Sequence, residues 1–555
     1  MKNLIKRLLI ILGSILFVLI CFLVVSFVYL YKTADFKTPD VQLNLDSYSL
    51  DVDTDSLKVI DGNYLHLNEY GIWECYVSGT PLERGAKLGI MAKELLHYQE
   101  SVFVDQIRQF VPSDSYFSFL HKLTAIFNRN MANYIPEEYR EEIYGVSMSC
   151  SHEFDAFGTP YERQLNYHAA HDIGHAMQEY MLVGCSSFAV WNKMSRDSSL
   201  IVGRNFDFYV GDDFAKNKIL LFVRPDEGYN FVSLAWPGMI GVVSGMNTEG
   251  LTVTINAAKG EIPTQSAMPI SILARTILQY ADDIETAYEI AKLHKTFVSE
   301  SLLISSAKDN YAAIIEKTPR QTCLYEDYTE TIICTNHFQS SCYVSDEYNV
   351  KNIRETDSKY RWNRLKELIR EPLTPEKAVD CLRDNLGINN EDIGLTNPLS
   401  INQSIAHHSV VFQPQELRVW ISTSYWQNGE FVCYDLNEVF SNNDTVNLTN
   451  YNKKMNIAAD SVFINNQYPK IKEYKKNYKI IKQKIASSDK LPDGFISDFI
   501  RINPNYYETY NIAGDYMEKI GNNSMAVDYW KIALEKRVPT LSERNKILKK
   551  IENYD

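Results

Sequence analysis

Residues 182–207 read LVGCSSFAVWNKMSRDSSLIVGRNFD, two apolar runs joined by a polar turn. The first run begins just after Cys185 and the second at Leu200, and this pattern predicts a β-hairpin. Such a hairpin would bring Arg204 and Asp207 back beside the thiol. A nearby cation favours the thiolate form of cysteine, and a carboxylate can orient the group that takes its proton. The stretch therefore predicts a nucleophilic cysteine.

Four blocks of sequence carry a family resemblance. They are Gly184-Cys185, GRNFD at 203–207, GMNTEGL at 245–251 and TIN at 254–256. In this order the blocks resemble the N-terminal-nucleophile hydrolases, in particular the branch of acyl-coenzyme A:6-aminopenicillanate acyltransferases and choloylglycine hydrolases. Four blocks in this order are a more specific signal than one motif. The alternative is that Cys185 is a buried core cysteine and that Arg204 and Asp207 form a structural ion pair, which would be the usual case for a cysteine considered alone. The resemblance implies an α+β fold, a four-layer αββα sandwich.

The resemblance also implies that the chain cuts itself between Gly184 and Cys185. The thiol would attack the preceding carbonyl, the acyl group would move to sulfur, and water would hydrolyse the thioester. A glycine before the cysteine removes side-chain bulk from that peptide. The freed α-amine, with an ordinary pKa of roughly 8, suits a general base at neutral pH. Arg204 and Asp207 would then position the amine and the substrate.

Two asparagines at predicted strand ends and a late arginine complete the implied site. By resemblance, Asn256 lies in the oxyanion hole, where its N–H would stabilise the tetrahedral intermediate by roughly 3–4 kcal/mol. Asn336 matches a second asparagine near the nucleophile, although either asparagine alone more often caps a strand end. Arg361 matches the late arginine. The residue before it departs from the choloylglycine pattern, so Arg354 and Arg364 remain alternatives.

Charge and hydropathy restrict the compartment and the partners. The 555 residues carry a formal net charge of −14, which disfavours a nucleic-acid partner. Residues 8–30 are uncharged and follow basic residues, and a run of this length predicts a helix that crosses a bilayer of roughly 30 Å. The charge bias places the catalytic domain outside the cytoplasm, either periplasmic or at the cell surface. A long signal sequence is the alternative and leaves the compartment unchanged.

Composition along the chain predicts its division into regions. They are a transmembrane anchor (1–31), a stalk (32–70), a helical pro-segment (71–184), the catalytic domain (185–440), a linker with a lysine-rich helix (441–485) and a helical tail (486–555). Short β-branched runs with turn residues predict antiparallel strands in the catalytic domain, and amphipathic helices are predicted at 269–280 and 283–293. The tail resembles one tetratricopeptide repeat around Tyr507, Trp530 and Pro539; a generic helical hairpin is the alternative.

The cysteines and histidines give no cofactor site. The nine cysteines show no metal-ligand spacing. Export permits disulfides, Cys185 is the candidate free thiol, and any two of Cys323, Cys334 and Cys342 are close enough in sequence for a local bridge.

Three histidines just before the hairpin are weak metal candidates. His168, His171 and His175 would share one helix face, and imidazole suits zinc. The pattern lacks a glutamate placed as in zinc proteases, so a structural histidine cluster is the preferred interpretation, with no metal and no cofactor. His407 and His408, before a late strand, are interpreted as ordinary loop histidines.

These features predict a membrane-anchored, self-processing amidohydrolase or acyltransferase with a small-molecule N-acyl amide as substrate. Cys185 would form a thioester with the acyl group. Hydrolysis is preferred over transfer because coenzyme A is not expected outside the cell membrane. The alternative is a catalytically silent, membrane-anchored scaffold that binds a protein partner through its tail. A papain-like protease is disfavoured, since its local cysteine signature is missing.

Overall fold

A computed structural model of the chain describes residues 2–34, 36–110, 113–169, 172, 182–423, 426–441, 448 and 450–554. The strands are β1 Val52–Asp53, β2 Leu57–Ile60, β3 Asn63–Leu67, β4 Trp73–Gly79, β5 Leu182–Val183, β6 Ser186–Asn192, β7 Ser198–Phe206, β8 Phe208–Tyr209, β9 Ile219–Pro225, β10 Phe231–Ala235, β11 Ser244–Asn247, β12 Leu251–Ala257, β13 Glu300–Ser306, β14 Tyr311–Lys317, β15 Thr322–Glu326, β16 Thr331–Cys334, β17 His408–Gln413, β18 Arg418–Ser422 and β19 Phe431–Asp435. The α-helices are α1 Lys2–Lys32, α2 Pro81–Met91, α3 Lys93–Phe110, α4 Asp114–Asn128, α5 Glu137–Ser147, α6 Pro160–His168, α7 Ile270–Tyr280, α8 Ile284–Leu293, α9 Glu347–Glu355, α10 Ser358–Leu368, α11 Pro375–Arg383, α12 Leu436–Ser441, α13 Ser461–Asn466, α14 Tyr468–Ser487, α15 Phe495–Ile502, α16 Tyr507–Lys519, α17 Asn523–Glu535 and α18 Leu541–Glu552.

Two large sheets form the body of the protein. In the described residues, one sheet has the order β1-β2-β3-β4-β9-β10-β11-β12-β13-β14-β15 and the other has the order β16-β6-β7-β17-β18-β19. Their strand pairs are antiparallel except for β4 and β9, which run parallel. The predicted hairpin is β6–β7, with Ser187 opposite Arg204. The predicted mixed α+β fold is confirmed, as are the two predicted helices, which are α7 and α8.

Alternate residues of the central strands face two different cores. In β9, Leu220 and Phe222 pack against Val202 and other residues of the second sheet. Leu221 and Val223 point to the opposite side, where residues of α2, α5 and α7 cover them. Helices α10 and α11 cover the outer side of the second sheet. A strand buried on both faces is apolar throughout rather than alternating, because successive side chains enter separate cores.

The predicted stalk at residues 32–70 is wrong in its second half. Strands β1 to β3 lie there and extend the large sheet, with Tyr64 and Leu65 buried. The acidic composition hid these strands, because the aspartates lie at turns between short apolar stretches. The pro-segment predicted as helical also begins with a strand, β4, which pairs with β9 of the region predicted to be catalytic, 185–440.

The lysine-rich helix is part of the tail rather than of a linker. Ile471, Tyr474 and Ile481 of α14 are buried, and the last two join the apolar core formed by α15 to α18. These positions share one helix face, while the lysines occupy the other. The tail also contacts the catalytic region, where the Asn503 side chain exchanges two hydrogen bonds of 2.9 Å with the backbone of Leu395.

The N-terminal helix and one disulfide bear on the compartment. Among the described residues, the stretch Leu12–Lys32 of α1 is the one helix long and apolar enough to cross a membrane, and none of it is buried. An anchor and a signal sequence share these properties. Cys323 and Cys342 form a disulfide, whereas Cys334 and Cys185 are free and buried.

Candidate functional site

Backbone pairing fixes the peptide between Gly184 and Cys185. Strand β5 pairs antiparallel with β8, which places Val183 opposite Phe208. The pairing continues through one more hydrogen bond, in which the Gly184 N–H donates to the Asp207 carbonyl at 3.0 Å. Cys185 therefore lies between the small β5–β8 ladder and the start of β6, and its side chain is fully buried.

Arg204 lies against the buried thiol. Its Nη2 is 3.6 Å from the Cys185 Sγ, and the same guanidinium donates to the carbonyls of Val243, at 2.9 Å, and Ile255. Burial raises the pKa of the Cys185 thiol to about 11, and the positive charge of Arg204 opposes this rise. The thiol is therefore protonated at neutral pH while the chain is continuous.

Asp207 presents a carboxylate without a described partner. The residue is fully buried, and neither carboxylate oxygen has a hydrogen bond among the described residues. Burial raises the pKa of this carboxyl group to about 7, against the opposing charges of Arg361 and Arg204. An ionised carboxylate is costly to bury without a counter-charge or donors. The position thus suits a hydrogen-bond donor that none of the described residues supplies.

Arg361, on α10, connects three parts of the site. Its Nη1 donates to the Cys185 carbonyl at 2.7 Å and to the Ser186 hydroxyl at 2.9 Å, and its Nη2 donates to the Asn336 side chain at 2.7 Å. The two alternative arginines lie elsewhere: Arg354 is exposed and pairs with a neighbouring glutamate, and Arg364 pairs with Asp384. The structure brings Arg361 to the cysteine and leaves the other two away from it.

The two predicted asparagines lie at adjacent strand ends. The Asn256 side chain accepts from the Ser187 hydroxyl at 3.0 Å and donates to the Cys334 carbonyl at 3.1 Å. Asn336 donates to the Ala257 carbonyl at 2.9 Å. Both side chains are held rigidly, so the site is preorganised.

Behind Arg204 runs a buried polar chain that sequence analysis missed. Arg204 donates to the Ser244 hydroxyl, Ser244 is 2.8 Å from His408 Nε2, and the Nδ1 atoms of His408 and His407 are 2.9 Å apart. Arginine can only donate hydrogen bonds, so the Ser244 hydroxyl accepts from Arg204 and donates to His408 Nε2. His408 Nδ1 in turn donates to His407 Nδ1. Burial lowers the pKa of His407 to about 3, so the pair is neutral. The interpretation of His407 and His408 as loop histidines is wrong, since both are fully buried; nothing local in the sequence marks them.

A second missed residue is Gln403, whose Nε2 donates to the Gly184 carbonyl at 3.0 Å. Gln403 lies in the segment before β17, and it is 4% exposed. An isolated glutamine in a loop has no sequence signal that would connect it to a residue in a distant strand.

The weak metal candidates do not form a metal site in the described residues. His168 uses both ring nitrogens, because Nε2 accepts from the Ile240 N–H at 3.0 Å and Nδ1 therefore donates to the Gln164 carbonyl at 2.7 Å. Burial lowers its pKa to about 4. His171 and His175 lie outside the described residues. Within the described part of the chain, no group of histidine, cysteine and carboxylate side chains is placed to hold a metal ion.

Comparison with known proteins relates part of the chain to a family. Residues 191–425 match the model of the acyl-coenzyme A:6-aminopenicillanic acid acyl-transferase family. The matched segment is less than half of the chain. The resemblance inferred from the sequence blocks is therefore confirmed, and the matched segment carries Arg204, Asp207, Asn256, Asn336 and Arg361.

More distant similarities to individual proteins are also found. An uncharacterized protein of Archaeoglobus fulgidus is 24% identical over 339 residues, which cover 54% of this chain and 55% of that protein. The chain thus spans about half the length of this curated relative. Two solved structures are also similar. The Caenorhabditis elegans ortholog of N-acylethanolamine-hydrolyzing acid amidase is 17% identical with a TM-score of 0.30, covering 42% of this chain and 93% of its own. A mutant of conjugated bile acid hydrolase from Clostridium perfringens is 12% identical with a TM-score of 0.32, covering 47% and 94%.

Proposed function

We propose that the protein is a self-processing cysteine amidohydrolase whose nucleophile is Cys185. The observation that carries the proposal is the buried Asp207 carboxylate, which has no hydrogen bond among the described residues and whose charge acts on the Cys185 thiol. Cleavage of that peptide would release an α-amine at Cys185, which becomes an ammonium group when it takes the proton of the thiol. The ammonium group would supply the hydrogen-bond donors that no described residue gives to this carboxylate, so the site fits the cleaved protein better than the uncleaved one.

Self-cleavage proceeds through two steps that balance within the site. The Cys185 Sγ attacks the Gly184 carbonyl carbon, a C–S bond forms, and the thiol proton passes to the departing amide nitrogen as the C–N bond breaks. Water then hydrolyses the thioester, which leaves a carboxylate on Gly184 and a free thiol on Cys185. The new α-amine accepts the thiol proton in later turnovers and serves as the general base.

Substrate turnover uses the same groups. The thiolate, favoured by Arg204, attacks the carbonyl of an N-acyl amide and expels the amine, and water releases the acyl group. Asn256 stabilises the oxyanion, while Arg361 and Asn336 fix the backbone of the nucleophile. The match of residues 191–425 to the acyl-transferase family supports acyl chemistry on an amine. Hydrolysis is proposed as the outcome, since coenzyme A is not expected outside the membrane.

An aromatic row indicates an apolar acyl group. The Arg204 guanidinium stacks on Phe206, Phe206 stacks on Phe208, and Phe208 stacks on Trp236. Trp236 lines a small pocket together with Leu96, Phe103 and Phe214. Because these four side chains are apolar, the acyl chain is proposed to lie against them, between the pro-segment helices and the catalytic region.

The remaining features fit an enzyme outside the cytoplasm. We propose that α1 anchors the protein in a membrane and that the sheets and helices form the αββα order of layers. The packed hairpin of α16 and α17 is proposed to be one tetratricopeptide-like unit. The Cys323–Cys342 disulfide supports an oxidising compartment.

A trapped acyl-enzyme tests the proposal. The purified protein is incubated with a panel of N-acyl amides of increasing acyl length, quenched in acid and analysed by mass spectrometry. We expect an acyl adduct on the chain that begins at Cys185, with the longer apolar chains preferred. No adduct and no amine release with any member of the panel would refute the proposed activity.

A further inference from the structure

The carbonyl group of Gly184 is the group that Cys185 attacks in the proposed self-cleavage. The Gln403 Nε2 donates to this oxygen at 3.0 Å. The two residues are 219 positions apart in the chain, and both are buried. The contact therefore reflects the fold and not local geometry.

The glutamine amide also explains the glycine before the cysteine. A Cβ atom at position 184 would lie 2.6 Å from the Gln403 Nε2 and 3.0 Å from its Oε1. Real Cβ atoms do not approach other heavy atoms so closely, so any other residue would push the amide off the carbonyl. Glycine thus allows the close approach as well as reducing bulk at the peptide.

The segment that carries Gln403 is fixed on both sides. The Asn402 N–H donates to the Asp384 carbonyl at 2.8 Å, and the Asn402 side chain accepts from the Ser404 N–H at 3.1 Å. A donor held in place before the reaction stabilises developing charge without reorganisation.

Other polar groups of the site have different partners. Arg361 donates to the carbonyl of Cys185, one residue further on, and the Asn256 amide donates to the Cys334 carbonyl. Among the side chains that the structure describes, Gln403 is the one that donates to the Gly184 oxygen.

We infer that Gln403 is the oxyanion donor of self-cleavage, an inference that rests on the proposed function. When the Cys185 sulfur attacks the Gly184 carbon, negative charge develops on the oxygen that Gln403 already contacts. The hydrogen bond strengthens as the C–S bond forms, and it holds the tetrahedral intermediate until the C–N bond breaks. Gln403 is thus a catalytic residue of maturation, distinct from the groups proposed for substrate turnover.

The test follows conversion of the full chain from precursor to cleaved protein. Gln403→Met keeps the length of the side chain and removes the donor, and Gln403→Leu removes it with a different shape. The matched control is Gln427→Met, because Gln427 is also a buried glutamine that donates to a main-chain carbonyl, that of Leu382 rather than Gly184. Each variant is pulse-labelled, and the fraction cleaved is measured against time by gel electrophoresis and intact mass.

We expect both Gln403 variants to cleave roughly 100-fold more slowly than wild type, the loss seen when one oxyanion donor is removed elsewhere. Gln427→Met should cleave at the wild-type rate. Hydroxylamine, which breaks thioesters, should not restore the Gln403 variants, since their defect precedes thioester formation. Thermal unfolding of each variant combined with Cys185→Ala, which blocks cleavage, should show that the fold is retained.

The outcomes separate this inference from the proposed function. Cleavage of Gln403→Met or Gln403→Leu at the wild-type rate, in a wild type that does cleave, would overturn the inference alone. Full rescue by hydroxylamine would also overturn it, because the acyl shift would then be unaffected. A wild-type chain that stays uncut would refute self-processing, and the role of Gln403 with it.

Discussion

Replacing Asp207 with asparagine should stabilise the uncut chain at alkaline pH. In the continuous chain the carboxylate is buried and has no hydrogen bond among the described residues. Burial raises its pKa from the ordinary value of 3.8 to about 7. Asp207→Asn removes the ionisation and keeps the shape, and the variant is compared in a Cys185→Ala chain that cannot cleave.

The pH dependence follows from proton linkage. Below pH 3.8 both folded and unfolded states hold the proton, so ionisation contributes nothing. Between 3.8 and about 7 the folded state keeps a proton that the unfolded state has lost, and stability falls as pH rises. Above about pH 7 both states are ionised and the full loss of stability remains. Between pH 3.8 and about 7 the free energy of unfolding falls by about 1.4 kcal/mol per pH unit, which amounts to about 4 kcal/mol in total.

Urea unfolding of the purified chain in detergent measures the effect. At pH 8, Asp207→Asn should raise the free energy of unfolding by up to about 4 kcal/mol, and at pH 4.5 by about 1 kcal/mol. After cleavage the sign should reverse, because the α-ammonium group then pairs with the carboxylate. If Asp207→Asn destabilised the uncut chain at pH 8, the carboxylate would already be ionised and paired, which would refute the expected cost of burying it without a hydrogen bond.

Three further predictions concern the thiol, the disulfide and the tail. Arg204→Lys should slow alkylation of the cleaved enzyme's nucleophile by iodoacetamide at pH 7 by about tenfold, since the guanidinium 3.6 Å from sulfur opposes the effect of burial on the thiol pKa; an unchanged rate would contradict this. Cys342→Ser opens a bridge between residues 19 positions apart, and urea unfolding should show a loss of about 3 kcal/mol; a loss below about 1 kcal/mol would contradict a structural role. Gly394→Ala places a Cβ against the backbone of Tyr506 in the tail and should lower the free energy of unfolding by about 2–3 kcal/mol. The control Gly62→Ala, also at positive φ but with no atom within 4 Å of the new Cβ, should lower it by about 1 kcal/mol. Equal losses at the two glycines would show that the tail does not dock there.

Local patterns in the sequence predicted the hairpin at the site and two of the helices. The hairpin that presents Arg204 to Cys185 depends on two apolar runs and the turn between them, all within one short stretch. Helices α7 and α8 likewise follow from apolar periodicity with a proline or an aspartate at the start. In both cases the residues that determine the element are neighbours in sequence.

The parts that sequence analysis missed depend on distant contacts. Strands β1 to β3 are short and lie in acidic sequence, and they are stable because they extend an existing sheet. Gln403 and His408 acquire their partners only when the segment at β17 packs beside β7. Their residue types are common in loops, so no spacing or motif distinguishes them. The family blocks indicated the residues proposed as catalytic, but the residues that contact them from distant segments were visible only in the fold.

The central claim is that the chain cuts itself before Cys185, and one measurement tests it most directly. The full chain and its Cys185→Ala variant are purified side by side and analysed by intact mass and N-terminal sequencing. We predict two fragments in the wild type, one beginning at Cys185, and a single uncut chain in the variant. A single chain in both proteins, or the same cut in both, would contradict self-processing by this cysteine.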